Sequence, residues 1–128
     1  MPGILIVEDD NDLRTMLKVS LSRRRFTVLE AENGKEALTH FKPSVTDLVI
    51  TDLIMPDEDG LKVIMRIREL KPSIKIIAIS GGGKAGPGSY LNLAKALGAD
   101  AIYSKPFSVN DMIFKIEELL DIKQEEIK

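Results

Sequence analysis

Apolar residues along the chain fall into five short runs, separated by stretches where they recur at every third or fourth position. Gly3 to Val7 reads as a buried strand, and Leu13, Met16, Leu17, Ser20 and Leu21 then follow at helical spacing. Phe26 to Leu29 is a weaker strand. Asn33 is placed to cap a helix carrying Ala37, Leu38 and Phe41 on one side, with Pro43 just beyond. Leu48 to Thr51 gives a third strand, and a loop from Met55 to Gly60 leads to a helix with Val63, Ile64, Ile67 and Leu70 that stops before Pro72. Ile74 to Ile79 is the fourth strand. Leu91, Ala94 and Leu97 mark a helix closing at Gly98. Ala101 to Ser104 is the fifth strand. Ser108 with Asp111 resembles a capping box for a last helix built on Val109, Met112, Ile113, Ile116, Leu119 and Leu120, which frays in the charged tail from Lys123 to Lys128.

Five strands alternating with five helices predict an α/β fold, a five-stranded parallel sheet covered on both faces. The continuous apolar runs fit strands buried from both sides, and right-handed crossovers leave few topologies open. The glycine-rich stretch Gly81 to Gly88 connects the fourth strand to the fourth helix, either as a partner-recognition loop or as a plain connector. It is too short and too internal to link domains, so residues 1–128 are expected to form one domain.

Composition narrows the possibilities. A chain of 128 residues, 44% apolar and 30% charged, matches one soluble globular domain. The net charge of −2 gives no basic excess for nucleic acid, and the cluster Arg23-Arg24-Arg25 reads as a solvated helix end where cations suit the dipole. Without cysteine there are no disulfides or thiolate sites. No apolar run approaches the ~20 residues of a membrane span, and the N-terminus lacks the features of a signal peptide, so a cytoplasmic location is expected. His40, the sole histidine, reads as an exposed helical residue; Met55 and Met65 read as packing or surface residues.

Open parallel sheets bind ligands beyond the carboxyl ends of their strands. Here those ends carry Glu8-Asp9-Asp10, Asp52, Ser80 and Lys105-Pro106. Each alone has an ordinary explanation: polar residues solvate strand ends, and acids suit the start of a helix. Together they place carboxylates, a hydroxyl and an ammonium on one rim. Clustered carboxylates need a cation, and all-oxygen donors favour Mg2+, which leaves coordination positions for phosphate oxygens. Lys105 and Ser80 could then bind phosphoryl oxygens. A proline after Lys105 restricts the backbone there and admits a cis peptide.

The chain resembles the response-regulator receiver family over essentially its whole length. The matching segments are Ile4 to Asp10, Asp47 to Pro56, Asp59-Gly60, Ile79-Ser80-Gly81, Gly98-Ala99-Asp100 and Lys105-Pro106-Phe107. The resemblance implies a flavodoxin-like, doubly wound (βα)5 fold with strand order 2-1-3-4-5. It implies a phosphorelay receiver without enzymatic turnover: Asp52 as phosphoacceptor from a phosphohistidine on a sensor histidine kinase or a histidine phosphotransfer protein. Asp9, Asp52 and the backbone carbonyl of Ile54 would bind Mg2+, with Glu8 acting through water. Ser80 and Lys105 would contact the phosphoryl group. Output would pass to a downstream protein target or to an output domain of a longer regulator, through a shift in the fourth- and fifth-strand region.

Two departures from the family pattern stand out. Many receivers carry an aromatic residue three positions before the lysine; Ile102 stands there, and Tyr103, one later, should point to the opposite face and serve packing. Ile54 and Gly82 flank the expected route of the hydrolytic water without polar side chains, which predicts slow loss of the phosphoryl group. Three other readings remain at this stage. A Mg2+-dependent phosphohydrolase using Asp52 as nucleophile is disfavoured by Ile54 at the general-acid position. A flavin or nucleotide binder is disfavoured by acids after the first strand. The third is a scaffold receiver that takes no phosphoryl group.

Overall fold

The computed structural model describes residues 1–53, 60–81, 92 and 94–122. Its elements run β1 Gly3–Val7, α1 Asn11–Arg23, β2 Thr27–Ala31, α2 Gly34–His40, β3 Leu48–Asp52, α3 Gly60–Leu70, β4 Lys75–Ser80, β5 Ala101–Ser104 and α4 Val109–Leu119. Residues 94–96, ahead of Gly98, are also helical. The strands form one sheet in the order β2-β1-β3-β4-β5, with every neighbouring pair parallel. The doubly wound, flavodoxin-like arrangement is therefore present. No helix among the described residues is long and apolar enough to cross a membrane.

Burial explains the uninterrupted apolar strands. Every residue of β1 and β3 is buried, because both faces of the central strands are covered. Side chains alternate between the faces: Leu5, Val7, Val49, Ile76 and Ala78 pack with Ala37, Val63, Ile64 and Ile67 from α2 and α3. On the other face Ile4, Ile6, Leu48, Ile50, Ile77 and Ile79 meet Leu17 and Leu21 of α1 and Met112, Ile113 and Ile116 of α4. Helix starts are capped by side chains: Asp10 for α1, Asn33 for α2 and Ser108 for α4 each accept from backbone amides of the first turn.

The structure corrects several details. β2 begins at Thr27, since Phe26 is buried under the end of α1, where its amide donates to Leu21 O. β3 extends to Asp52, and β4 runs one residue later than predicted, from Lys75 to Ser80. Met16, at helical spacing with Leu17, is exposed, as is Leu70. The arginine cluster is more than a solvated helix end, because Arg24 Nη2 lies 2.9 Å from Oε2 of the buried Glu117 on α4. His40 and Met65 are exposed, as expected, and Tyr103 packs beside Phe107 on the α4 face with ring centroids 6.0 Å apart. Leu91, Met55 and residues 82–88 of the glycine-rich stretch lie outside the described residues, as does the tail from Lys123.

Candidate functional site

Parallel strands end on a common rim, and the register fixes which residues meet there. Val7 pairs with Thr51 and Asp52 pairs with Ile79, so Glu8, Asp52 and Ser80 leave adjacent strands side by side. Ser104 pairs with Ser80, which puts Lys105 at the same edge, and the Lys105 amide donates to Ser80 O. The Lys105–Pro106 peptide is cis.

The side chains converge. Lys105 Nζ lies 2.9 Å from Glu8 Oε1 and 3.0 Å from Asp52 Oδ2. Carboxylate oxygens of Glu8, Asp9 and Asp52 all lie within 4.8 Å of one another. Glu8 and Asp52 are buried while Asp9 is exposed, so the cluster opens to solvent through Asp9. The Ser80 hydroxyl, wholly buried at the end of β4, donates to Gly81 O at 3.2 Å. Ile54 lies outside the described residues.

Burial sets the electrostatics. Removal from water pushes the Glu8 carboxyl from 4.5 up to about 7, and the neighbouring Asp52 charge adds to the rise; the hydrogen bonds from Lys105 and the Asp10 amide offset part of it. Lys105 is held above its ordinary value. Burial alone would lower it, but the hydrogen bonds to Glu8 and Asp52 outweigh that.

The donor set fits a small divalent cation. It offers only hard oxygen ligands, and Mg2+–oxygen distances of about 2.1 Å place ligands at most about 4.2 Å apart. The three carboxylates come within tenths of an ångström of that limit, or meet it with one acting through water. Glu8 Oε1 is buried, and among the described residues its partner is the Lys105 ammonium 2.9 Å away. An acid cluster bridged by one ammonium can therefore take up a cation and present a carboxylate oxygen to an electrophile.

Sequence reasoning missed one neighbour of the site, Arg14, and the capping role of another, Asp10. Arg14 donates from Nη1 to Glu8 O at 2.7 Å, and Asp10 caps α1 immediately after the acidic pair. Spacing to Asp10 could have identified the cap; nothing in the apolar pattern singles out Arg14.

Residues 4–117 match the response regulator receiver domain. The response regulator receiver protein CpdR of Brucella abortus is 34% identical over 121 residues, covering 94% of this chain and 98% of that protein. The transcriptional regulatory protein ResD of Bacillus subtilis is also 34% identical, over 91% of this chain but 47% of its own length. Among solved structures, a CheY-like receiver domain protein from Methanospirillum hungatei superposes with a TM-score of 0.86 at 28% identity, covering 98% of each chain. TrrA from Thermotoga maritima, solved in complex with Mg2+-BeF, gives 0.79 at 34% identity over 93% of this chain and 99% of its own. With its fold, its acidic rim and these relatives, the chain belongs to the response regulator receiver domain family of two-component signalling.

Proposed function

We propose that this receiver accepts a phosphoryl group on Asp52 from a phosphohistidine of a sensor histidine kinase or a histidine phosphotransfer protein, in a Mg2+-dependent reaction that switches partner binding. The observation that carries it is the single Lys105 ammonium held between the Glu8 and Asp52 carboxylates, with Asp9 at the solvent side. An Asp52 carboxylate oxygen attacks phosphorus and the phosphorus–nitrogen bond breaks; the donor imidazole, already protonated on its other ring nitrogen, takes the bonding pair and leaves neutral. Lys105 follows the phosphoryl oxygens as charge transfers onto Asp52, and the Ser80 hydroxyl turns from Gly81 O to donate to one of them. Asp9 and Asp52, the Ile54 carbonyl, and Glu8 through water would hold the cation. When bound, it offsets the repulsion between carboxylate and phosphoryl group.

The chain acts as a signalling receiver at residues 1–128, promoting its own phosphorylation and slow dephosphorylation without turnover of a substrate. Its setting is the cytoplasm, where kinase and phosphodonor meet it. Output goes to a downstream protein or to an output domain, as in regulators the length of ResD, of which this chain spans about half. Incubation with acetyl phosphate and Mg2+, followed by intact mass measurement, tests the reading. One added phosphoryl group, absent from Asp52→Asn, is expected. No gain, or a gain that persists in the variant, refutes it.

A further inference from the structure

Arg14 stands outside the acidic cluster yet grips the segment that carries it. Its side chain is mostly buried at 13% exposure, unusual for an arginine one turn into a surface helix. All three guanidinium nitrogens are engaged. Nη1 donates to the backbone carbonyl of Glu8 at 2.7 Å, Nη2 to Asn11 Oδ1 at 2.5 Å, and Nε lies 3.4 Å from Oε1 of Glu30 on β2. Glu30 is itself held by Lys18 Nζ at 3.1 Å, so the fork is braced from the neighbouring strand.

The bond to Glu8 O has a geometric consequence. The Glu8 amide still follows the sheet, donating to Ala31 O at 3.0 Å, but the carbonyl leaves the ladder and finds Arg14. That carbonyl and the Asp9 nitrogen share one rigid peptide plane. Fixing its oxygen therefore fixes the direction in which Asp9 leaves the backbone. Glu8 and Asp52 have Lys105 to orient their carboxylates, whereas the Asp9 carboxylate has no hydrogen-bonding partner among the described residues. Its placement comes from the backbone alone, clamped upstream by Arg14 and downstream by the Asp10 cap on α1.

We infer that Arg14 is a positioning residue for the divalent-cation site, acting through the Glu8–Asp9 peptide to hold Asp9 within ligand distance of Asp52. The inference rests on the phosphoacceptor reading above. It differs in sign from a charge effect. A cation near three acids repels a metal ion, so on charge alone removing Arg14 tightens metal binding. On positioning, removing it weakens binding, and lysine does not substitute, since one ammonium cannot serve three separate acceptors in a plane.

The test uses Mn2+ as a paramagnetic probe, titrated into the unphosphorylated chain, with urea unfolding run in parallel. Arg14→Gln and Arg14→Lys are each expected to weaken Mn2+ binding by about 10-fold, the lower end for residues that orient metal ligands. In an Asp9→Asn background the Arg14→Gln effect should vanish. Should Arg14→Gln not fold, Arg14→Lys, which keeps the charge, carries the test. Wild-type or tighter Mn2+ binding in the folded variants overturns the inference alone, as does an undiminished effect in Asp9→Asn. A wild-type chain that binds no Mn2+ overturns the phosphoacceptor reading and this inference with it.

Discussion

Replacing Glu8 by glutamine isolates the most displaced carboxyl group of the site. Its side chain is 1% exposed, and burial first, then repulsion from Asp52, lifts it from 4.5 to about 7. That displacement corresponds to about 3 kcal/mol. The cluster opens to solvent through the exposed Asp9, and water there screens the repulsion from Asp52, which lowers the expectation to about 2 kcal/mol. Between pH 4.5 and about 7 the folded chain keeps a proton that the unfolded chain has released. Stability from that proton is full below 4.5 and is lost as pH rises to about 7. Lys105, raised above 10.5, titrates outside this window. Urea unfolding in EDTA at roughly pH 5 to 8 measures the effect, as the stability of Glu8→Gln minus that of the wild type. The difference should grow by about 2 kcal/mol in favour of the variant from the acid to the alkaline end. Mg2+ at about 100 times its dissociation constant should return about 2.7 kcal/mol to the wild type at the alkaline end. A difference that is flat in EDTA, or that slopes the other way, refutes the reasoning.

Three further outcomes are expected. In Gly60→Ala the new Cβ would sit 2.3 Å from Asp52 O and 2.5 Å from Leu53 Cα, both backbone atoms; a loss of about 1–3 kcal/mol in urea unfolding should accompany slower phosphoryl uptake, and an unchanged midpoint contradicts it. Arg24→Ala leaves the Glu117 carboxylate buried without its cation and should lower stability by about 2 kcal/mol, less than a fully buried pair because Arg24 is 40% exposed; adding Glu117→Gln should recover part of the loss, and failure to do so argues against the pair. The acyl phosphate should persist for many minutes, because Ile54 and Gly82 offer no polar side chain to a hydrolytic water; decay within seconds, followed by intact mass, would overturn that.

Much of this was legible in the chain. Strands β1 and β3 announce themselves because burial on both faces demands unbroken apolar runs, and the ends of those runs place Glu8, Asp9 and Asp52 on one rim. Ser80 and Lys105 follow from the same rule, and the Lys105 contacts agree with the expected convergence. Edges were harder to read. Phe26 belongs to the core beneath α1 and not to the β2 ladder, which periodicity over four residues cannot distinguish. Arg24 and Arg14 look like ordinary surface cations, since their partners Glu117 and Glu8 O are 93 and six residues away. Contacts of that kind depend on helix packing, which no local pattern encodes.

The sheet is uneven in how tightly its strands are enclosed. β3 is buried throughout, whereas residues of β5 alternate between half-buried and exposed, with Ile102 36% accessible and Ser104 facing outward. A substitution at Val49 or Ile50 must satisfy neighbours on every side, but Ile102 can change shape or polarity with little loss of folding free energy. Asp52 is thus lodged in one of the two most enclosed strands, beside β1. The flank bordering Lys105 therefore tolerates changes that the strand carrying Asp52 does not.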